Sequence, residues 1–155
     1  MGYRSIVALA LYENDYQEMI RKAISENNES AMSLIRYGTM YKTNNIITLY
    51  WTWVKWYESY DDVSFIMNFI RSGVDYSFKR AGEEPGDVEE EYQDDGWILG
   101  ETTNIYSTID LCDVGEQQSL DSYINNIQEE VNKEEEKIEQ EIEEVSQEEL
   151  MKLIA

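Results

Sequence analysis

The sequence predicts an α+β fold, a ferredoxin-like antiparallel sheet with two packed helices, followed by a long acidic C-terminal helix. Three observations predict it. Runs of β-branched and aromatic residues alternate with amphipathic segments in the order strand, helix, strand, strand, helix, strand, the order of a split β-α-β unit. Asn44-Asn45 stands between two strand-like runs, where a tight hairpin needs residues that tolerate positive φ. Beyond residue 119 apolar residues become sparse and glutamate dominates, the pattern of a solvated helix.

Tyr3 to Tyr12 carries small and apolar residues at consecutive positions, which predicts a central strand covered on both faces. Asn14, with Gln17 three residues on, reads as the cap of a helix whose apolar stripe is Tyr16, Ile20, Ala23 and Ile24. That helix ends at Glu26-Asn27-Asn28, and a short connection through Met32 and Leu34 leads to the hairpin of Tyr37–Lys42 and Ile46–Tyr57. In the second hairpin strand, alternation places Ile47, Leu49, Trp51 and Trp53 on one face. Thr48, Tyr50, Thr52, Val54 and Trp56 fall on the other, a partly apolar face open to solvent or a partner.

Residues 59–62 supply helix-start chemistry, Val63, Ile66, Met67 and Ile70 form the second helical stripe, and Gly73 marks its end. Tyr76–Ala81 and Trp97–Ile109 read as strands joined by a long acidic loop. The expected organisation is an α+β domain at 1–109, a linker at 110–118 and the acidic helix at 119–155. Within that helix Ile124, Val131, Ile138 and Val145 recur every seven residues, but the companion positions run Ile127, Glu134, Glu141, Glu148. A seam half made of glutamate predicts a helix that docks through residues 120–127 and then projects, rather than a long self-paired coil.

The chain has 155 residues, 42% of them hydrophobic, with twelve tyrosines and four tryptophans, enough to build one core. It has one cysteine, Cys112, and no histidine. That excludes an internal disulfide and the usual zinc sites, and removes the commonest catalytic base. No Gly-x-Ser-x-Gly or phosphate-cradle motif is present, and the Gly82–Gly86 turn holds acids that repel phosphate. An EF-hand reading from Asp87 fails because Tyr92 stands where glycine is required. The expectation is a protein that is not an enzyme, with no metal and no cofactor. The first apolar run, Ile6–Leu11, is shorter than a signal-peptide core, and no stretch reaches the roughly 18 apolar residues of a membrane span. A cytoplasmic protein is expected.

The formal net charge is −21, which opposes direct binding to nucleic acid or to anionic membranes and favours a basic partner. Its distribution is regional. The first acidic segment holds Glu83, Glu84, Asp87, Glu89, Glu90, Glu91, Asp94 and Asp95 with no Lys or Arg among them. The second runs from Glu129 to Glu149, with eleven glutamates against Lys133 and Lys137. Together they carry −17, leaving −4 for the rest of the chain. The candidate partner-binding residues of the second segment are Glu129, Glu130, Glu134, Glu135, Glu136, Glu139, Glu141, Glu143 and Glu144. At a helical rise of 1.5 Å the spacing is about one charge per 3 Å, close to the ~3.4 Å between phosphates along one DNA strand. Trp53, Trp56 and Tyr57 form a candidate aromatic patch, which would sit beside too few cations to stack nucleic-acid bases.

Three blocks, Met1-Gly2-Tyr3-Arg4-Ser5, the stretch Val54–Val63 containing Lys55-Trp56-Tyr57-Glu58-Ser59-Tyr60, and Phe78–Glu84 through Trp97, resemble a group of small uncharacterised bacteriophage proteins. The resemblance spans residues 1–109. It implies a viral or prophage origin and action in the host bacterial cytoplasm, and it supplies no catalytic residues. Taken with the charge map, it leads to the expectation of a phage-encoded acidic protein that inhibits a host nucleic-acid-binding defence protein, of anti-CRISPR or anti-restriction type, by DNA mimicry. The alternative is a structural or regulatory interaction module that uses its aromatic sheet face and is capable of self-association.

Overall fold

A computed structural model describes residues 2–93, 103–105, 109–111 and 115–154. Among them the chain forms a mixed α+β structure, an open six-stranded antiparallel sheet with four helices. The first strand, β1 (Ser5–Tyr12), is central as expected, paired to β3 (Ile46–Val54) on one side and β4 (Tyr76–Gly82) on the other. β2 (Thr39–Thr43) forms the hairpin with β3 around Asn44, whose φ is +53°. The sheet is wider than the expected ferredoxin-like one. Strand β5 (Val88–Gln93) extends it beside β4, and a short strand, β8 (Glu116–Gln118), extends it beside β2, giving the order β5-β4-β1-β3-β2-β8.

Register explains the core. Leu9 lies opposite Leu49 and Phe78, and Leu11 opposite Ile47 and Tyr76. This face therefore presents a continuous apolar layer to helices α1 (Glu13–Ser25), α2 (Glu29–Tyr37) and α3 (Asp61–Ile70). Tyr16, Met19, Ile20, Ile35, Ile66 and Ile70 are fully buried against it. The indole N–H of Trp51 donates to the Leu34 carbonyl at 2.8 Å, so the largest core side chain leaves no unmet donor. The opposite face is buried at its centre, at Ala8, Ala10, Thr48 and Ala81, as the apolar run of β1 predicts, so the β3 face expected to be open to solvent or a partner is covered at Thr48.

Five local expectations are corrected. The first helix begins at Glu13 rather than after an Asn14 cap, because the Glu13 amide is met by the Asn45 carbonyl of the neighbouring hairpin turn at 2.7 Å. The connection through Met32 and Leu34 is the helix α2, capped by Asn28, whose side chain accepts from the Ala31 amide at 3.1 Å. The acidic loop is largely a strand, since β5 pairs along β4 from Ala81–Val88 to Tyr76–Gln93. The expected strand Trp97–Ile109 contains β6 (Thr103–Ile105) and ends on the first residue of β7 (Ile109–Leu111), with which β6 pairs antiparallel; its other residues lie outside those described. The linker at 110–118 holds β8, while its residues 112–114 lie outside those described.

Gly115 makes that last turn possible. Its φ is +87°, and a Cβ there would collide with the Lys42 carbonyl on β2, so no other residue fits without displacing β8. β8 leads directly into the long helix α4 (Leu120–Ile154). Leu120, Ile124 and Ile127 are buried in the main core, and the Tyr123 ring packs on Tyr16 at 5.5 Å. From residue 132 to residue 153 every side chain is exposed.

Candidate functional site

The two acidic segments have different fates. In β5, strand alternation sends Glu89 and Glu91 to the helix-covered face and Glu90 to the other. β4 sets Arg80 opposite Glu89 and Lys79 opposite Glu90, cross-strand pairs of opposite charge. Arg80 is 9% exposed. Its guanidinium donates to Asp87 at 2.8 Å, Glu89 at 3.1 Å and the Ser5 hydroxyl at 2.9 Å. The Tyr3 hydroxyl donates to Asp87 at 2.5 Å. These bonds, Arg80's first and Tyr3's next, hold the Asp87 carboxyl below its ordinary range.

Glu91 is gripped from two sides. Arg71, one residue past α3, donates to both of its oxygens at 2.8 and 2.9 Å, and the same guanidinium reaches Glu58 at 2.7 Å. Tyr76 donates a further bond to Glu91 at 2.7 Å. The Arg71 bond lowers the Glu91 carboxyl and is its largest cause. Burial, then the bond to Glu91, pushes the Tyr76 phenol up to about 12. Glu90 accepts from the Tyr92 hydroxyl and stands 3.9 Å from Lys79. Glu83 accepts from the Arg4 amide at 3.1 Å, and the Glu84 amide donates to the Tyr3 hydroxyl. Asp94 and Asp95 lie outside the described residues. Of the described acids of the first segment, Asp87, Glu89, Glu90 and Glu91 are thus tied to cations of the fold, while Glu83, Glu84, Glu89 and Glu90 stay exposed.

The α4 carboxylates are arranged oppositely. Arg21 on α1 bridges Glu130 at 2.8 Å and Glu134 at 3.3 Å, one turn apart, and so fixes where the helix leaves the body. Among the described residues no other α4 glutamate is ion-paired. Glu129, Glu135, Glu136, Glu139, Glu141, Glu143 and Glu144 are all exposed. At 100° per residue they spread over about two thirds of the circumference, which makes α4 a negatively charged rod with one face free of them.

The aromatic patch is not formed. Ser5 pairs with Val54 but Val7 with Trp51, so β3 has one residue more than β1 over this stretch, a β-bulge. Alternation reverses across the bulge. Trp53 turns outward and is 57% exposed, whereas Val54 and Trp56 turn into the core at 6% and 7%. Trp56 packs 5.1 Å from Trp51 and 5.9 Å from Phe78. Tyr57 is tied to the backbone of Tyr3, accepting from its amide at 2.7 Å and donating to its carbonyl at 3.1 Å. Trp56 and Tyr57 border a cleft of about 390 Å³ with Tyr3, Arg80 and Asp87, whose polar groups are largely bonded to one another.

Sequence reasoning missed Tyr3, Arg71 and Arg80 as the groups that bond Asp87, Glu89 and Glu91. The signal was present in the facing pairs of Lys79-Arg80 and Glu89-Glu90, legible once a tight turn at residues 83–87 is assumed. Among the described residues no group of three or more potential metal ligands converges, and no helix is long and apolar enough to cross a membrane. Set against known protein families, curated protein sequences and solved structures, the chain matches none of them.

Proposed function

We propose that the protein is a phage-encoded acidic binding protein that inhibits a host nucleic-acid-binding defence protein, of anti-CRISPR or anti-restriction type, by presenting the carboxylates of α4 to its basic channel. One observation carries this reading: from residue 132 to residue 153 α4 is an exposed helix holding nine glutamates and three lysines, and none of those glutamates except Glu134 meets a cation of the described body. A rod of this charge density suits a channel built for a polyanion, and its binding releases counterions from the channel. We read the inner strands β4-β1-β3-β2 with α1 and α3 as the ferredoxin-like unit, a rigid platform that anchors the rod through Arg21 and the buried first turns of α4.

The test is competition. A basic partner captured by the full chain is expected to be released by duplex DNA and by moderate salt, and substitution of Glu135, Glu139 and Glu143 by Lys is expected to abolish capture. Capture indifferent to both DNA and these reversals would contradict the proposal.

A further inference from the structure

The exposed part of α4 is not acidic on every side. Ile138, Ile142 and Val145 follow one another at intervals of four and three, and they are 56%, 60% and 55% exposed. At 100° per residue they lie on the same face as Ile124 and Ile127, which are buried in the body. The face that docks α4 onto the body therefore continues, uncovered, for two more turns beyond Arg21's grip on Glu134. Three branched aliphatic side chains at helical spacing on an otherwise Glu-rich rod are unnecessary for charge presentation alone.

What covers this face is decided by its borders. Glu141 and Glu148 line one side, and on the other edge Glu135 and Glu149 stand one heptad before and after Ile142, with Lys137 the single cation between Glu135 and Glu149. In a parallel pair of copies Glu144 would face Glu149 along the uncovered stretch, so a second copy meets repulsion at its flank. A helix with an apolar stripe bordered by Lys and Arg meets attraction at the same positions. We infer that Ile138, Ile142 and Val145 form a docking face for a basic amphipathic helix of the partner protein. The inference rests on the reading of a basic partner and adds that this partner is recognised by apolar contact as well as by charge. A polyanion mimic engaged through charge alone would be insensitive to the stripe.

The experiment uses the full chain and two synthetic peptides of equal length and charge. One is a helix of about three heptads with Leu at the seam and Lys on its borders; the other replaces every Leu by Gly. Fluorescence anisotropy is expected to show the Leu/Lys helix binding about tenfold or more tighter than the Gly/Lys peptide. The double variant Ile138→Ser/Ile142→Ser, whose changes are exposed and leave every charge in place, is expected to erase that advantage while retaining the weak charge-driven binding. Near-UV circular dichroism of the variant is expected to match the parent, since the core is untouched. Equal binding of both peptides, unchanged in the variant, overturns the docking face and leaves charge presentation standing. Failure of both peptides to bind at low salt overturns both readings. Sedimentation showing a dimer of the parent chain that the double variant dissociates assigns the face to a second copy and overturns the inference.

Discussion

Arg80 on β4 holds the Asp87 carboxylate at 2.8 Å across the turn that leads into β5. Together with Arg71 on Glu91 and Lys79 near Glu90, this contact ties the middle of an acidic run to the sheet. Arg80→Ala leaves Asp87 and Glu89 without their cation beside a core that stays packed, and is expected to destabilise the fold by about 2 kcal/mol. Urea titration followed by tryptophan fluorescence measures it. The variant Arg4→Ala, whose guanidinium among the described residues makes one exposed bond, to the Trp53 carbonyl, is the matched control and is expected to cost less than about 0.5 kcal/mol.

The same contacts set an acid limit. Asp87 and Glu91 have carboxyls lowered in the folded state by Arg80 and Arg71 respectively. Their contribution is complete above the unfolded-chain values, near about 4, and is lost as pH falls from there through the lower folded-state values. Stability measured by denaturant titration is expected to hold flat from pH 7 to about 5 and to drop below about 4. In Arg71→Ala the part of that drop owed to Glu91 disappears.

The anchor of α4 is separable from its rod. Ile124→Asp places a charge where the side chain is 1% exposed, and is expected to cost about 3 kcal/mol or more and to free the helix start. Gly115→Ala, at φ +87° against the Lys42 carbonyl, is expected to loosen β8 in the same direction. Amide hydrogen exchange reads both, as lost protection in β8 and in the first turns of α4 while β1, β3 and β4 stay protected.

The distal rod has little packing to support it, and isolated helices draw most of their stability from packing. Glu135–Glu139 and Glu139–Glu143 are like charges at i,i+4 spacing, each destabilising by about 0.2–0.5 kcal/mol. Glu139→Gln, which relieves both pairs, is expected to raise helical ellipticity at 222 nm at low salt, with the gain shrinking as salt screens the repulsion.

The sheet centre and three of the helices were legible in the sequence because their signals are local. β1 is continuously apolar, Asn44-Asn45 marks the hairpin, and Gly73 at φ +119° follows α3 as its spacing requires. The rest depends on partners distant in sequence. Val88-Glu89-Glu90-Glu91-Tyr92 has weak strand propensity and becomes a strand through Lys79, Arg80 and Arg71, so charge without a partner reads as a loop. The bulge before Val54 has no signature in a run of Thr and Trp, which is why Trp56 was placed on the outer face with the wrong set of neighbours. On α4 a strict seven-residue reading set Ile142 aside, although it completes the stripe with Ile138 and Val145.

The central claim is that the exposed carboxylates of α4 carry the binding. It is tested most directly by capture from a bacterial lysate with the immobilised full chain, comparing the parent with Glu135→Lys/Glu139→Lys/Glu143→Lys in the presence and absence of duplex DNA. The account predicts a basic protein retained by the parent, displaced by DNA and lost in the triple reversal, with binding falling steeply between about 50 and 200 mM salt. Retention that survives the reversal and the DNA, but is lost on Trp53→Ala, would contradict it.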